Sequence, residues 1–213
     1  MHTLKKFSIT GTAGGLEGIA HIPDSAPRAI AVVAHPLPTM GGTMENKVAV
    51  TLAKAFAELG CAALRFNFRG VGASGGEFTG GEGEEQDMIA VARYAQEQFG
   101  AVLPLLLSGF SFGGYVAARA AQHLHPQHLV LAAPAVGRFA PSTELRTGMP
   151  AVSPDTLVIH GEHDEVVPLA DVLEWARPQQ LPIVVLPEAG HFFHGRLTQL
   201  RDIVKRDFNG VQL

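Results

Sequence analysis

From residue 29 onward, short continuous apolar runs alternate with longer stretches in which apolar residues recur at helical spacing. Ala29–Ala34 is apolar at every position, the pattern of a strand covered on both faces. Val48, Leu52, Ala55, Phe56 and Leu59 follow at helical spacing, with Thr43 as a candidate cap and Gly60 as the stop. Cys61–Phe68 reads as the next strand, closed by Arg69-Gly70, and a glycine-rich loop covers 70–83. Glu82–Phe99 reads as a helix whose first turn is acidic, as the helix dipole favours. The series continues with a strand over Val102–Gly109, an alanine-rich helix over Phe112–Leu124 and a strand over Leu129–Val136. A proline-containing loop over 137–154 precedes a strand at Thr156–His160 and a helix around Leu169–Arg177. A strand at Ile183–Leu186 and a helix from Arg196 end the pattern.

Strands alternating with helices predict parallel βαβ units, so the expected fold is α/β, a doubly wound and mostly parallel sheet. Residues 4–22 differ: two alternating runs around Gly11–Gly15 predict an antiparallel hairpin on the sheet edge. No repeat or linker divides the chain, which is expected to form one domain over 1–213.

Composition narrows the functional classes. The 213 residues are 46% hydrophobic and 17% charged, enough for a sizeable core. One cysteine, Cys61, excludes an internal disulfide and a cysteine-based zinc site, and reads as a buried small hydrophobe. A net charge of -4 and a pI near 6.2 argue against nucleic acid as a partner. No apolar stretch approaches the ~20 residues that span a bilayer. Met1–Lys6 is basic but lacks an apolar core behind it, so no signal peptide is expected. These features predict a cytoplasmic protein, monomer or homodimer, that does not engage a membrane.

Gly109-Phe110-Ser111-Phe112-Gly113 fits G-x-S-x-G, and so does Gly72-Ala73-Ser74-Gly75-Gly76. Context separates them, because a nucleophile elbow needs a buried strand directly before the serine and a helix directly after it. Leu103–Leu107 and Tyr115–Ala120 supply both around Ser111, whereas Ser74 is followed by glycine, threonine and acidic residues. Gly109 and Gly113 leave room for the sharp turn and the close helix. A serine hydroxyl needs a base to take its proton, and an acid to fix the tautomer of that base. In this architecture the order is serine, acid, histidine, each after a successive strand. Asp164 follows the strand ending at His160, and His191 follows Ile183–Leu186. Glu162 or Glu165 could replace Asp164, although strand-exit spacing favours Asp164; His194 could replace His191, but it lies closer to the last helix.

Acyl transfer also needs N–H groups aimed at the developing oxyanion. Phe112 supplies one candidate, and the loop His35–Gly42 the other. Pro36 and Pro38 have no N–H, which leaves Leu37 between them. Phe192 and Phe193 could line an acyl pocket with Leu37, Met40 and Phe139, though core packing accounts for either phenylalanine as readily.

These motifs resemble the α/β-hydrolase superfamily. Within it the chain is similar to small cap-less bacterial serine hydrolases related to the dienelactone hydrolase group. The resemblance covers residues 29–205 and includes His35-Pro36, Gly41–Met44, Asn46-Lys47 and Arg65–Ser74. It implies that Ser74 belongs to a structural loop. Dienelactone hydrolases proper carry a cysteine nucleophile, so their substrate is not carried over to Ser111. The short 137–154 segment leaves at most a rudimentary lid. The expected activity is hydrolysis of carboxylic esters with small or medium acyl groups. Ser111, Asp164 and His191 would be catalytic, and Leu37 and Phe112 would form the oxyanion hole. A peptidase or thioesterase with the same three residues, or a non-catalytic binding protein on this fold, are the alternatives.

No cofactor is expected. Gly70-Val71-Gly72-Ala73-Ser74-Gly75 matches G-x-G-x-x-G, but Phe78–Gly81 delays the helix that a dinucleotide pyrophosphate would need. His123, His125 and His128, and the pairs His160/His163 and His191/His194, do not form H-E-x-x-H, so no functional metal is expected. Trp175 sits in an amphipathic helix and reads as packing.

Overall fold

The computed structural model describes residues 2–138 and 146–210. Among them an eight-stranded sheet runs in the order β1-β2-β4-β3-β5-β6-β9-β10. Its strands are β1 (His2–Gly11), β2 (Gly14–Pro23), β3 (Ala29–Ala34), β4 (Cys61–Phe66), β5 (Leu105–Phe110), β6 (His128–Ala132), β9 (Leu157–Gly161) and β10 (Ile183–Leu186). β1 and β2 form the antiparallel hairpin, β2 also meets β4 antiparallel, and the remaining pairings are parallel. A separate two-stranded ladder joins β7 (Gly137–Arg138) and β8 (Arg146–Thr147).

Among the described residues five α-helices cover the sheet: α1 (Lys47–Glu58), α2 (Glu82–Phe99), α3 (Phe112–Leu124), α4 (Leu169–Ala176) and α5 (Leu197–Gly210). Strand residues alternate between the two layers, as a period of two requires. Ile30, Val32 and Ala34 pack with residues of α2, α3 and α4 on one side. Ala29, Ala31 and Val33 pack with residues of α1 and α5 on the other. Every residue of β3, β4 and β5 is buried, which explains why β3 reads as an unbroken apolar run and why only Arg65 and Ser108 interrupt the mostly apolar β4 and β5.

Element ends differ from the sequence expectation where buried polar groups take over the backbone. β4 stops at Phe66 because the Asn67 N–H donates to Glu17 O and the Phe68 N–H donates to His35 Nε2. β5 starts at Leu105 rather than Val102, which is 95% exposed in a turn, and it runs one residue past Gly109. β6 ends at Ala132, since Ala133 has a positive φ of 42° and Pro134 follows. Asn46, not Thr43, caps α1: its Oδ1 accepts from the Val48 and Ala49 N–H groups at 2.9 and 3.5 Å. Trp175 packs against the core on the α2–α3 side and donates Nε1–H to Pro150 O at 3.0 Å.

The glycine-rich loop 70–81 is pinned to the hairpin by buried polar contacts. Arg69 grips Asp87 through Nε and Nη2 at 3.1 and 2.7 Å, and Nη2 also donates to Thr12 Oγ1. Ser74 Oγ donates to Asn67 O at 2.8 Å and accepts from the Glu17 N–H at 3.1 Å. Ser74 is therefore a joint between loop and strand, with both hydrogen-bonding capacities in use. Ser74→Ala leaves the Glu17 N–H without its acceptor, so urea unfolding should show a loss of about 1–3 kcal/mol. An unchanged unfolding midpoint would show that the joint carries no stability.

Candidate active site

The parallel strands place their C-terminal ends along one rim, and the residues in question lie in the segments just beyond them. Ser111 joins β5 to α3 with φ 56° and ψ −118°, a backbone conformation that costs about 1–3 kcal/mol outside glycine. It is held there by hydrogen bonds on both sides: its N–H donates to Ala132 O, and its carbonyl accepts from Ala135, both at 3.0 Å. A Cβ at Gly113 would come within 2.4 Å of Ala34 O, and one at Gly109 within 2.1 Å of Gly113 O. Only glycine fits at either position.

His191 lies in the turn after β10, with its Nε2 3.0 Å from Ser111 Oγ and its Nδ1 2.8 Å from Asp164 Oδ2. A carboxylate accepts only, so Nδ1 carries the proton and Nε2 of the neutral ring is left to accept from the serine hydroxyl. The three side chains are buried together. Asp164 Oδ1 accepts from the Val166 and Val167 N–H groups at 2.9 and 2.7 Å. Burial pushes the Asp164 carboxyl upward, but the His191 hydrogen bond and charge, the Val167 N–H and His160 outweigh it. The net direction is below the usual carboxylate range, so Asp164 stays charged near neutrality. His160 Nε2 donates to Val167 O at 2.9 Å, bracing the turn whose N–H groups hold that carboxylate.

The alternatives from sequence take other positions. Glu162 is exposed and accepts from the Glu188 N–H, while Glu165 Oε2 accepts from the His191 backbone N–H at 3.3 Å. His194 is exposed, with its ring 5.9 Å from that of Phe192. Leu37 follows β3, and its N–H meets no acceptor among the described residues. The loop behind it folds tightly, since a Cβ at Gly42 would lie 2.1 Å from Pro36 O. Phe112 opens α3, with its ring fully buried.

A cleft of about 340 Å³ opens over Ser111 and His191, walled by Leu37, Met40, Asn46, Val166 and Phe192. Met40 and Phe192 are 68% and 40% exposed, standing as apolar walls at its mouth. Phe193 instead turns into the core beside α1 and α5. Phe139 lies outside the described residues. Neither Val166 nor Asn46 was expected from the sequence to line the cleft; Asn46 entered only with Asn46-Lys47 in the family resemblance. Asn46 carried a usable signal, an N-cap residue type directly before an apolar helical pattern. Among the described residues Glu162, His163 and Glu188 group closely enough to hold a metal ion, but all three are exposed and none lines the cleft. No helix of the described residues is long and apolar enough to cross a membrane.

A family model described as serine aminopeptidase, S33, matches residues 25–147. The chain belongs to this family of α/β serine hydrolases. An α/β serine hydrolase without a lid from Xanthomonas campestris is 36% identical, with a TM-score of 0.85 over 97% of this chain and 94% of its own. An α/β serine hydrolase homologue from Coxiella burnetii is 37% identical, with a TM-score of 0.83 over 95% and 96% of the two chains. An uncharacterized protein of Rickettsia prowazekii is 32% identical over 157 residues, 74% of this hydrolase but only 58% of the relative's length. The hydrolase shares the cap-less form of the fold: between β6 and β9 the described residues contribute only the β7–β8 ladder.

Two buried histidines brace the surroundings of the site in neutral form. His35 Nδ1 donates to Pro36 O at 2.7 Å while Nε2 accepts from Phe68, and burial lowers its pKa to about 4. His21 Nε2 accepts from Arg65 Nε; burial, then the Arg65 charge, lowers its pKa to about 4 as well. Below pH 6.5 the unfolded chain binds protons at both positions and the folded chain does not. Stability contributed by these residues is therefore full above pH 6.5 and falls as the pH drops towards 4, by a few kcal/mol at His35 alone. Urea midpoints between pH 7.5 and 4.5 should show this decline, and His35→Gln should make it shallower, leaving the part that His21 contributes. A wild-type midpoint that holds steady over that range would contradict the assignment of neutral buried rings.

Proposed function

We propose that this hydrolase cleaves carboxylic esters of small or medium acyl groups through an acyl-enzyme on Ser111. The observation that carries this reading is the unbroken chain Ser111 Oγ, His191 Nε2, His191 Nδ1, Asp164 Oδ2, with links of 3.0 and 2.8 Å. Ser111 Oγ attacks the acyl carbonyl as His191 Nε2 takes its proton. The tetrahedral oxyanion is held by the Leu37 and Phe112 N–H groups. Asp164 stabilises the imidazolium that forms, without itself becoming protonated. His191 then gives the proton to the departing alkoxide, and a water activated by the same ring releases the acid and restores Ser111. The reaction needs no cofactor.

The cleft favours esters over the substrates of an aminopeptidase. A peptide with a free α-amino group calls for an acidic partner, and none of the described cleft-lining residues is acidic. The exposed apolar walls suit a neutral acyl chain, and a cleft of about 340 Å³ limits its length.

Ser111→Ala should abolish p-nitrophenyl ester turnover and fluorophosphonate labelling, whereas Ser74→Ala should keep both despite its lower stability. Asp164→Asn should lower kcat by up to ~10⁴-fold, because the ring loses the partner that fixes its tautomer. Equal loss of turnover in folded Ser111→Ala and Ser74→Ala proteins would refute the assignment. Faster Ser111-dependent turnover of peptides or thioesters than of matched esters would replace the ester reading.

A further inference from the structure

Asn46 is the one polar side chain besides Ser111 and His191 among the described residues that line the cleft. The hydrogen bonds around it fix which way its amide points. Oδ1 accepts from the Val48 and Ala49 N–H groups, so it is committed to capping α1 and the NH₂ group is left over. That NH₂ meets no acceptor among the described residues, and it is not one of the sealed unpartnered atoms, which are Ser108 Oγ, Thr156 Oγ1 and His160 Nδ1. It is a donor that a ligand in the cleft can reach.

The segment in front of it is rigidly held. Met44 N–H donates to Asn67 Oδ1 at 2.8 Å, and Met44 O accepts from Arg65 Nη1 at 2.8 Å. Arg65 and Asn67 are themselves buried on or just after β4. The donor is therefore fixed by the sheet before any ligand arrives, and meeting an acceptor costs little side-chain entropy.

We propose that Asn46 is a specificity-determining residue that donates a hydrogen bond to a neutral oxygen carried on the otherwise apolar chain of the substrate. The preferred substrates are then esters whose chain bears an ether, keto or hydroxyl oxygen, rather than plain alkanoates. No Lys or Arg lines the described cleft, which sets a neutral oxygen ahead of a carboxylate. This inference rests on the ester reading above and adds to it the chemistry of the chain.

The test is an oxygen scan: p-nitrophenyl hexanoate against its analogues with one chain CH₂ replaced by an ether oxygen at each position in turn. Wild type is compared with Asn46→Ser, which keeps a capping oxygen for α1 but has no NH₂. Taking each oxa-to-plain ratio of kcat/KM in wild type relative to the variant cancels the intrinsic reactivity of the esters. At one oxygen position this double ratio should be about threefold to tenfold, the worth of one net hydrogen bond. Asn46→Asp also keeps the cap and puts an acceptor where the donor stood, so it should depress the same oxa ester at least as strongly. A double ratio of one at every position, with both variants folded, overturns the inference and leaves the ester reading intact. Absence of Ser111-dependent turnover for every ester in wild type overturns the ester reading, and this inference with it.

Discussion

The contact between the β5–α3 turn and the end of β3 sets the geometry of everything at the rim. Backbone meets backbone there: a side chain at Gly113 would run into Ala34 O, and one at Gly109 into Gly113 O. That approach forces Ser111 into a conformation non-glycine residues avoid, and the neighbouring strand holds it there through Ala132 O and the Ala135 N–H. The same contact fixes where β3 ends, and so where His35, Pro36 and Leu37 begin. The distance between the serine and the Leu37 N–H is thus a property of sheet packing rather than of a loop. Under the proposed mechanism, a donor that meets a developing charge gains most from such preorganisation, because nothing has to reorient when the charge appears.

A second layer of buried polar groups holds the loops to this frame. His35, Arg65, Asn67, Arg69 and Ser74 are all buried, and each joins segments far apart in sequence. Loops 36–46 and 70–81 would otherwise be long irregular segments with backbone groups in need of partners. The stretch after β4 serves both: the Phe68 N–H and Asn67 fasten His35 and Met44 of the first, and Arg69 and Ser74 fasten the second.

The apolar core was readable because its physics is local. Ala29–Ala34, Glu82–Phe99, Phe112–Leu124 and Ile183–Leu186 coincide with β3, α2, α3 and β10, since pattern and length decide such elements. The strand ends were not readable, because partners distant in sequence set them; Phe68 looks like one more strand residue until His35 is known to take its N–H. Thr43 and Asn46 are equally good caps on paper, and only the tether between Met44 and Asn67 shows where α1 must begin. Ser111, Asp164 and His191, the three side chains that the structure brings together, could be read as candidates because each lies in the segment just beyond a strand end, and strands are what periodicity reveals. Val166 and Asn46 could not, because a cleft wall is defined by what faces it across space.

A cleft with no cap over it has few ways to be selective. Its apolar walls contribute about 0.8 kcal/mol per methylene that they fully bury, and Met40 and Phe192 are too exposed to bury much. Beyond the chain that the cleft itself encloses, length is therefore a shallow discriminator, because each further group lies partly in water. A fixed polar group works differently: a substrate that lacks the matching atom leaves that group unpaired, and the loss does not depend on enclosure by a lid. In a cap-less hydrolase the polar atoms that the sheet holds at the rim are then the best-placed source of selectivity. Asn46, tied to the helix through one amide atom and open to the cleft through the other, meets that requirement without a further domain.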